Sequence, residues 1–465
     1  IRSLYGTLVH DDAATVFING TAVADFPGTT PPTANLSYGG NNTTDPAVEA
    51  LLVSAKPLRV GENVISVELH NVNATSSDVY FSMPTLAAAS EAIPEPFTTA
   101  ETSAAYPSST VSSDFFTKLL TGFDDVRNSA TVVAPNSSGP GNDGTATLVA
   151  ANDRVERAIN NGGAGTGPEK IAKRAQAVSD ADIAAYLAMT DALGSVLGPI
   201  YRSALQTGQL PKTRWLLDNV ENSSYEAANN AAKAAYGYKR PMNRLGFSTG
   251  GTCSGGSFAG TTGWIVPNYG STSGYDGLCT QGSFPSGHTL HGYTAGTVMA
   301  TVLPELAPQF LYRASEYGNN RLLLGFHYPM DVMAGRIIGQ ASVANRWSDA
   351  GFRSLLTQAT SELRTVLGTE CAELGHTTDL VECAEAGSNL TSDSAALESY
   401  TDRLSYSEYT TTDGVVHTDG FPVVFDGEKD TPLIVPEGAA DLLRTTFPEL
   451  TGAQRALVIR ATALP

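Results

Sequence analysis

Residues 316–336 read EYGNNRLLLGFHYPMDVMAGR, and this stretch decides how the middle of the chain folds. Helical patterning covers 306–325 and 330–347 around it. His327 and Asp331 are four residues apart, so they share a face if a helix starts there. A carboxylate in that position can hold the imidazole Nδ1–H and leave Nε2 as a nucleophile. The helical pattern extends outward through 145–160, 179–207, 222–237, 287–303 and 350–367. A long, predominantly helical region is expected.

Two further strings lie upstream in the same region. Lys233 is followed after six residues by Arg240-Pro241, and Pro285-Ser286-Gly287-His288 comes next; Arg321 is followed after five residues by His327. A group that transfers phosphate spreads charge over equatorial oxygens, so its site needs fixed cations and N–H donors. Lys233, Arg240 and Arg321 supply the cations, the two arginines as planar forks and the lysine as a point charge. Ser286 and Gly287 precede a helix, where N–H groups and the dipole favour an anion. His288 then serves as the acid that protonates a leaving alkoxide and as the base that activates water.

The order and spacings K-x6-RP, PSGH and R-x5-H-x3-D resemble the three motifs of the phosphatidic-acid-phosphatase type 2 superfamily. AKAAYGYKRP, GSFPSGHT and the 316–336 stretch look most like the class A bacterial non-specific acid phosphatases. The resemblance covers roughly 115–365. It implies an acid phosphatase that cleaves phosphomonoesters without a metal or other cofactor, through a phosphohistidine on His327 with His288 as acid/base. It also implies an acid pH optimum. One departure is visible: the family usually has Ser before the third-motif Arg, whereas this chain has Asn320. Asn donates and accepts hydrogen bonds, so reshaped support of Arg321 is expected, with the chemistry kept.

Composition narrows the partners. The chain has 465 residues and a net charge of 28 minus 47, or −19, with 42% hydrophobic and 16% charged residues. That is long enough for two or three domains. So acidic a chain lacks the concentrated Lys and Arg that bind nucleic acid, and no apolar run is long enough to span a membrane. Four cysteines fall as two close pairs without CxxC spacing, Cys253 with Cys279 and Cys371 with Cys383. Two local disulfides are the expectation, and with them an oxidising, extracellular location for a secreted, processed chain. Sequons occur at Asn19, Asn35, Asn41, Asn42, Asn73, Asn136, Asn222 and Asn389, which makes a glycoprotein an expectation to test.

The expected architecture is multidomain α and β: an all-α helical-bundle core at 114–367 with an N-terminal β-sandwich (jelly-roll-like) piece at 1–88, a linker at 89–113 and a C-terminal extension at 368–465. In the first piece, Val16, Phe17 and Ile18 run into Asn19-Gly20, a strong hairpin signal. Val64–Leu69 and Val79–Met83 are expected as a second strand pair. DDAATVFING and GENVISVELH resemble the closing half of a galactose-binding-like jelly roll, which implies a glycan as its ligand and strands before Ile1. The Ala/Ser/Thr/Pro-rich stretch after Ala87 reads as the linker. A Gly/Ser-rich loop spans 242–284, and the extension carries strands near 415–424 and a helical end over 439–463. Self-association into a homo-oligomer is compatible with all of this.

Two other functions fit the same residues. A vanadium-dependent haloperoxidase would hold vanadate where phosphate would sit, with His327 as its ligand; AAYGYK lacks the Trp-rich first motif of fungal chloroperoxidases. A surface- or glycan-binding protein with an inactive core is the other, and the intact six-residue set speaks against decay. Weaker signals carry ordinary structural readings. His291 is expected as a packed or pocket-rim histidine, Gly251–Gly255 as a loop and no nucleophile elbow, Gly162–Gly167 as a flexible loop and no phosphate loop, and Asp11-Asp12 as a turn.

Overall fold

A computed structural model gives the architecture, and residues 3–26, 38, 47–55, 57–75, 80–89, 110–123, 148–163, 167–182, 184–221, 223–241, 281–376, 378–385, 393–412, 414–418, 420–421 and 434–462 are described. The chain divides into two compact units. One comprises 1–103, 196–215 and 358–383, and the other 104–195, 216–357 and 384–465.

The first unit holds β1 (Ser3–His10), β2 (Ala13–Ile18), β3 (Thr21–Phe26), β4 (Ala47–Ser54), β5 (Ile65–His70) and β6 (Phe81–Ala89). They form two three-stranded antiparallel sheets, β4-β1-β6 and β3-β2-β5. Leu4, Leu8, Leu51 and Val53 from one sheet and Ala14, Val16 and Ile18 from the other are buried in one apolar cluster, which makes the pair a small sandwich. The β2–β3 hairpin turns at Asn19-Gly20, with φ of 50° and 81°. Only this two-residue, positive-φ turn matches the twist of both strands. The expected second strand pair is corrected: β5 pairs with β2 and β6 with β1, so the two strands are edges of different sheets.

The sequon at Asn19 is structural in part. Its amide donates to Pro57 O and Asn63 Oδ1 (both 2.8 Å), and its Oδ1 accepts from Val64 N–H (3.0 Å). Asp12 sits in the expected turn, with φ of 54° and its carboxylate accepting Val72 N–H at 2.7 Å. Cys371 and Cys383 form the expected disulfide, which closes a short loop and stabilises by about 3 kcal/mol in the loop-entropy model. Cys253 and Cys279 lie outside the described residues, as do the Gly251–Gly255 stretch and most of the linker and of the 242–284 loop.

The helices in chain order are α1 (Phe115–Leu119), α2 (Leu148–Gly162), α3 (Pro168–Asp182), α4 (Ala185–Ala188), α5 (Gly194–Gln206), α6 (Pro211–Asn219), α7 (Ser223–Tyr236), α8 (Gly287–Val302), α9 (Ala307–Leu323), α10 (Pro329–Arg346), α11 (Ala350–Glu373), α12 (Leu380–Glu385), α13 (Asp393–Ser405) and α14 (Gly452–Thr462). Helix α8 is the centre of the second unit. Nearly all of it is buried, as its run of small and apolar residues with few charges requires. Its N-cap is Ser286, whose Oγ accepts Thr289 N–H at 3.2 Å.

Helices α9 and α10 flank α8 at close range. A Cβ on Gly335 of α10 would come within 2.6 Å of Thr289 Cβ, and one on Gly292 of α8 within 2.6 Å of Tyr317. Glycine is the residue that admits these crossings. Helix α13 packs on α9, and Tyr406, Tyr409 and Phe421 join the core that holds Leu322 and Leu323. Among the described residues after 384, these three therefore share the core of this unit. Within the expected strand region near 415–424, Val416–His417 pairs with Tyr409–Thr410, and 419 and 422–424 lie outside the described residues. The expected helical end over 439–463 is a 3-10 turn at Ala439–Leu443 followed by α14.

Candidate active site

Three helix ends bring the motif residues together. Helix α7 places Lys233 in its last turn and ends at Gly237, where a φ of 60° redirects the chain toward Arg240. Helix α9 places Arg321 in its last turn and ends at Gly325, with φ of 69°. Gly325 N–H and Phe326 N–H donate back to Leu322 O (2.8 Å) and Arg321 O (3.0 Å), so the next residue, His327, turns back beside Arg321. Helix α10 begins at Pro329, the usual first-turn position for proline. His327 therefore precedes the helix, and its contact with Asp331 arises from a capping turn instead of a shared helical face. Asp331 Oδ2 accepts Tyr328 N–H at 2.9 Å and His327 Nδ1–H at 3.1 Å.

The tautomer of His327 follows from its partners. Arg240 can only donate, and its Nη1 lies 3.0 Å from His327 Nε2, so Nε2 is the acceptor and Nδ1 bears the proton given to Asp331. His327 is 1% exposed. Burial first, then Arg240, Lys233 and Arg321, holds its pKa well below the usual value. It is a neutral imidazole with its lone pair turned to a cationic pocket. Burial raises Asp331 to about 6, against the opposing hydrogen bonds from Ser283 Oγ and Tyr328 N–H.

Arg240, Arg321, His327, Lys233, Gly287 and His288 line a cavity of about 560 Å³. Arg240 also donates to Phe326 O at 3.1 Å. Burial, then the neighbouring Arg321, lowers Arg240 to about 10, which leaves it charged. Lys233 is lowered to about 7 by burial and then by Arg240. Its ammonium donates to the carbonyls of Pro285 (2.6 Å), Gly282 (3.1 Å) and Ser283 (3.4 Å), so it also fixes the segment leading into α8.

His288 lines the same cavity. Its ring lies 3.1 Å from Ala181 O, a carbonyl that can only accept, so Nε2 is protonated and Nδ1 is the nitrogen left for proton transfer. Ala181 is in the last turn of α3, where carbonyls lack helical partners. Arg321 first, then burial, holds the His288 pKa well below the usual value. The end of α3 is itself pinned. Asp180 accepts from Arg313 Nη1 (3.0 Å) and Asn320 Nδ2 (2.8 Å), and Arg313 also donates to Asp191 (3.1 Å) and Ala188 O (3.1 Å). Asn320 thus meets the carboxylate beside the residue that holds His288.

Of the expected set, Lys233, Arg240, Gly287, His288, Arg321 and His327 share one cavity, with Asp331 directly behind His327. Ser286 takes a supporting place: its Oγ caps α8 and its N–H donates to Asp331 O at 3.0 Å. His291 is a rim residue, paired with Glu221, which raises its pKa. Sequence reasoning did not single out Ser283, Asp180, Arg313 or Glu221. Ser283 stood three residues before a recognised motif residue, whereas the others meet their partners only through the fold. Among the described residues, no group of three or more His, Cys, Asp or Glu side chains is placed to hold a metal.

Residues 224–353 match the PAP2 superfamily. It is 28% identical over 187 residues to a non-specific acid phosphatase of Providencia stuartii, covering 40% of this chain and 65% of that protein. It is 38% identical over 88 residues to an acid phosphatase of Zymomonas mobilis, covering 19% of this chain and 33% of that one. A non-specific acid phosphatase of Salmonella typhimurium is 27% identical over 188 residues, covering 40% and 65%. The matches span less than two thirds of these relatives' own length.

Proposed function

We propose that the protein is a secreted acid phosphatase that hydrolyses phosphomonoesters through a phosphohistidine on His327, without a metal. The observation that carries this is the tautomer of His327: Asp331 holds Nδ1–H while Nε2 opens onto Arg240 in a cavity with Arg321 and Lys233. In the first step the Nε2 lone pair attacks phosphorus, the P–N bond forms and the ester P–O bond breaks. Arg240, Arg321 and Lys233 meet the charge on the equatorial oxygens. Arg240 exchanges its hydrogen bond to Nε2 for one to phosphate as substrate enters.

The departing alkoxide takes a proton from His288 Nδ1. Arg321 is the main reason His288 is neutral in the free enzyme, and a bound phosphate anion offsets that charge. His288 is therefore protonated as substrate binds. In the second step neutral His288 takes a proton from water, the water oxygen attacks phosphorus, and orthophosphate leaves with His327 regenerated. Among the described residues no helix is long and apolar enough to cross a membrane, which fits a small, water-borne ester as substrate.

Hydrolysis of p-nitrophenyl phosphate in EDTA, on wild type and His327→Ala, tests the proposal with vanadate-dependent bromination run on the same samples. Hydrolysis that survives EDTA, disappears in the variant and is inhibited by vanadate is the expected result. Bromination without hydrolysis would assign the pocket to vanadate chemistry, and neither activity would leave a binding protein with an inactive core.

A further inference from the structure

Lys233 carries three N–H donors and no acceptor. The carbonyls of Pro285, Gly282 and Ser283 take all three. The lysine therefore brings charge to the phosphate cavity but keeps no N–H for a phosphate oxygen. Asn229 stands one helical turn earlier on the same face of α7, and it lines the cavity together with Lys233, Arg240, Arg321 and His327.

Asn229 is only 7% exposed, yet its Oδ1 has no hydrogen-bond partner among the described residues. Burying a carboxamide in that state costs free energy, which a ligand entering the cavity would recover. The Asn229 amide lies beside the start of α8, where a Cβ on Gly287 would come within 3.1 Å of Nδ2. Glycine at 287 leaves room for this approach. The N–H groups of Gly287 and His288 open α8 and have no helical carbonyl to bond, and such a helix start favours an anion.

We propose that Asn229 is a phosphate-binding residue: its Nδ2–H donates to an equatorial oxygen of the phosphoryl group, beside the Gly287 N–H, where Lys233 has no donor left. The inference rests on the phosphatase reading and adds a neutral donor to its three cations. The phosphoryl group is common to every substrate and to orthophosphate, so loss of this donor weakens all of them by a similar factor. That separates Asn229 from a residue on the leaving side, whose loss depends on the alcohol.

The test compares wild type, Asn229→Leu and the isosteric Asn229→Asp, each checked for folding by its Tm. Orthophosphate binding is measured by calorimetry, and kcat/KM on p-nitrophenyl phosphate and 2-phenylethyl phosphate. Asn229→Leu is expected to weaken orthophosphate about tenfold and to lower kcat/KM about tenfold on both esters. Asn229→Asp, which sets a carboxylate against the phosphate, is expected to lose on the order of a hundredfold in each. Crystals of wild type grown with orthophosphate supply a check that needs no variant: Nδ2 is expected within about 3.2 Å of a phosphate oxygen. Folded variants that bind orthophosphate as wild type does, or a bound phosphate that leaves the Asn229 amide unbonded, would overturn the assignment while the phosphatase stands. A wild type that neither binds orthophosphate nor hydrolyses either ester would overturn both.

Discussion

The two histidines of the site are held in opposite ways. His327 is fixed from within a five-residue turn, by Asp331 four residues on, while the carbonyl that fixes His288 lies 107 residues away on α3. A local hold survives almost any rearrangement elsewhere, because helix α10 cannot start without the capping turn that forms it. The distant hold depends on Asp180, Arg313 and Asn320 keeping the end of α3 in place. In the proposed mechanism the attacking side thus combines a sequence-local turn with the distant contact of Arg240, while the leaving side depends on tertiary packing.

Removing the nucleophile should have the largest effect. His327→Ala is expected to lower kcat for p-nitrophenyl phosphate by a factor on the order of 10⁴ or more, measured under saturating substrate. His288→Ala should separate the two sides: a loss on the order of 10³ for an alkyl phosphate, and a clearly smaller loss for p-nitrophenyl phosphate, whose leaving group needs little protonation. Equal losses on both esters would remove His288 from the leaving side.

Asn320→Ala should reproduce that asymmetry in miniature. About a tenfold loss on the alkyl ester is expected, with p-nitrophenyl phosphate reduced only about twofold, since one hydrogen bond to a charged group is removed from the support of His288. A uniform loss would make Asn320 a packing residue alone. The pH profile is the subtlest test. The Asp331 carboxylate must be charged to hold Nδ1–H, and its raised value means that charge is lost as pH falls through about 6. The Lys233 charge, on a lowered value, is lost as pH rises through about 7. kcat/KM should therefore peak between these limits, and in Lys233→Met the decline above about 7 should vanish. A profile flat or rising above pH 8 would contradict the Lys233 assignment, and one with no decline below about 6 would contradict that of Asp331.

This contrast also explains what the sequence revealed. The hairpin at Asn19-Gly20, the helix that Ser286 caps and the His327–Asp331 turn are all written in neighbouring residues, so spacing and turn chemistry expose them. The expected helix over 179–207 is instead α3, α4 and α5, because Gly194, with φ of 70°, and the residues after Asp182 interrupt a pattern that hydrophobicity alone leaves continuous. Helix α6 went unseen for the complementary reason: it is short and polar on much of its surface. Lys233 read as a phosphate contact, yet its three carbonyl bonds show a second task that only a folded loop can create. Asp180 and Asn320 are 140 residues apart and meet only when α3 packs on α9. Nothing local marks either as support for His288.

The central claim is covalent catalysis at His327, and trapping the intermediate tests it most directly. The enzyme would be mixed with ³²P-labelled p-nitrophenyl phosphate, quenched in alkali within the first turnovers and digested for mass spectrometry. A label that is stable to base, labile to acid and located on His327 is the predicted result, since a phosphoramidate has that stability. A fully active enzyme that carries no label, or carries it on an acid-stable ester elsewhere, would contradict the account.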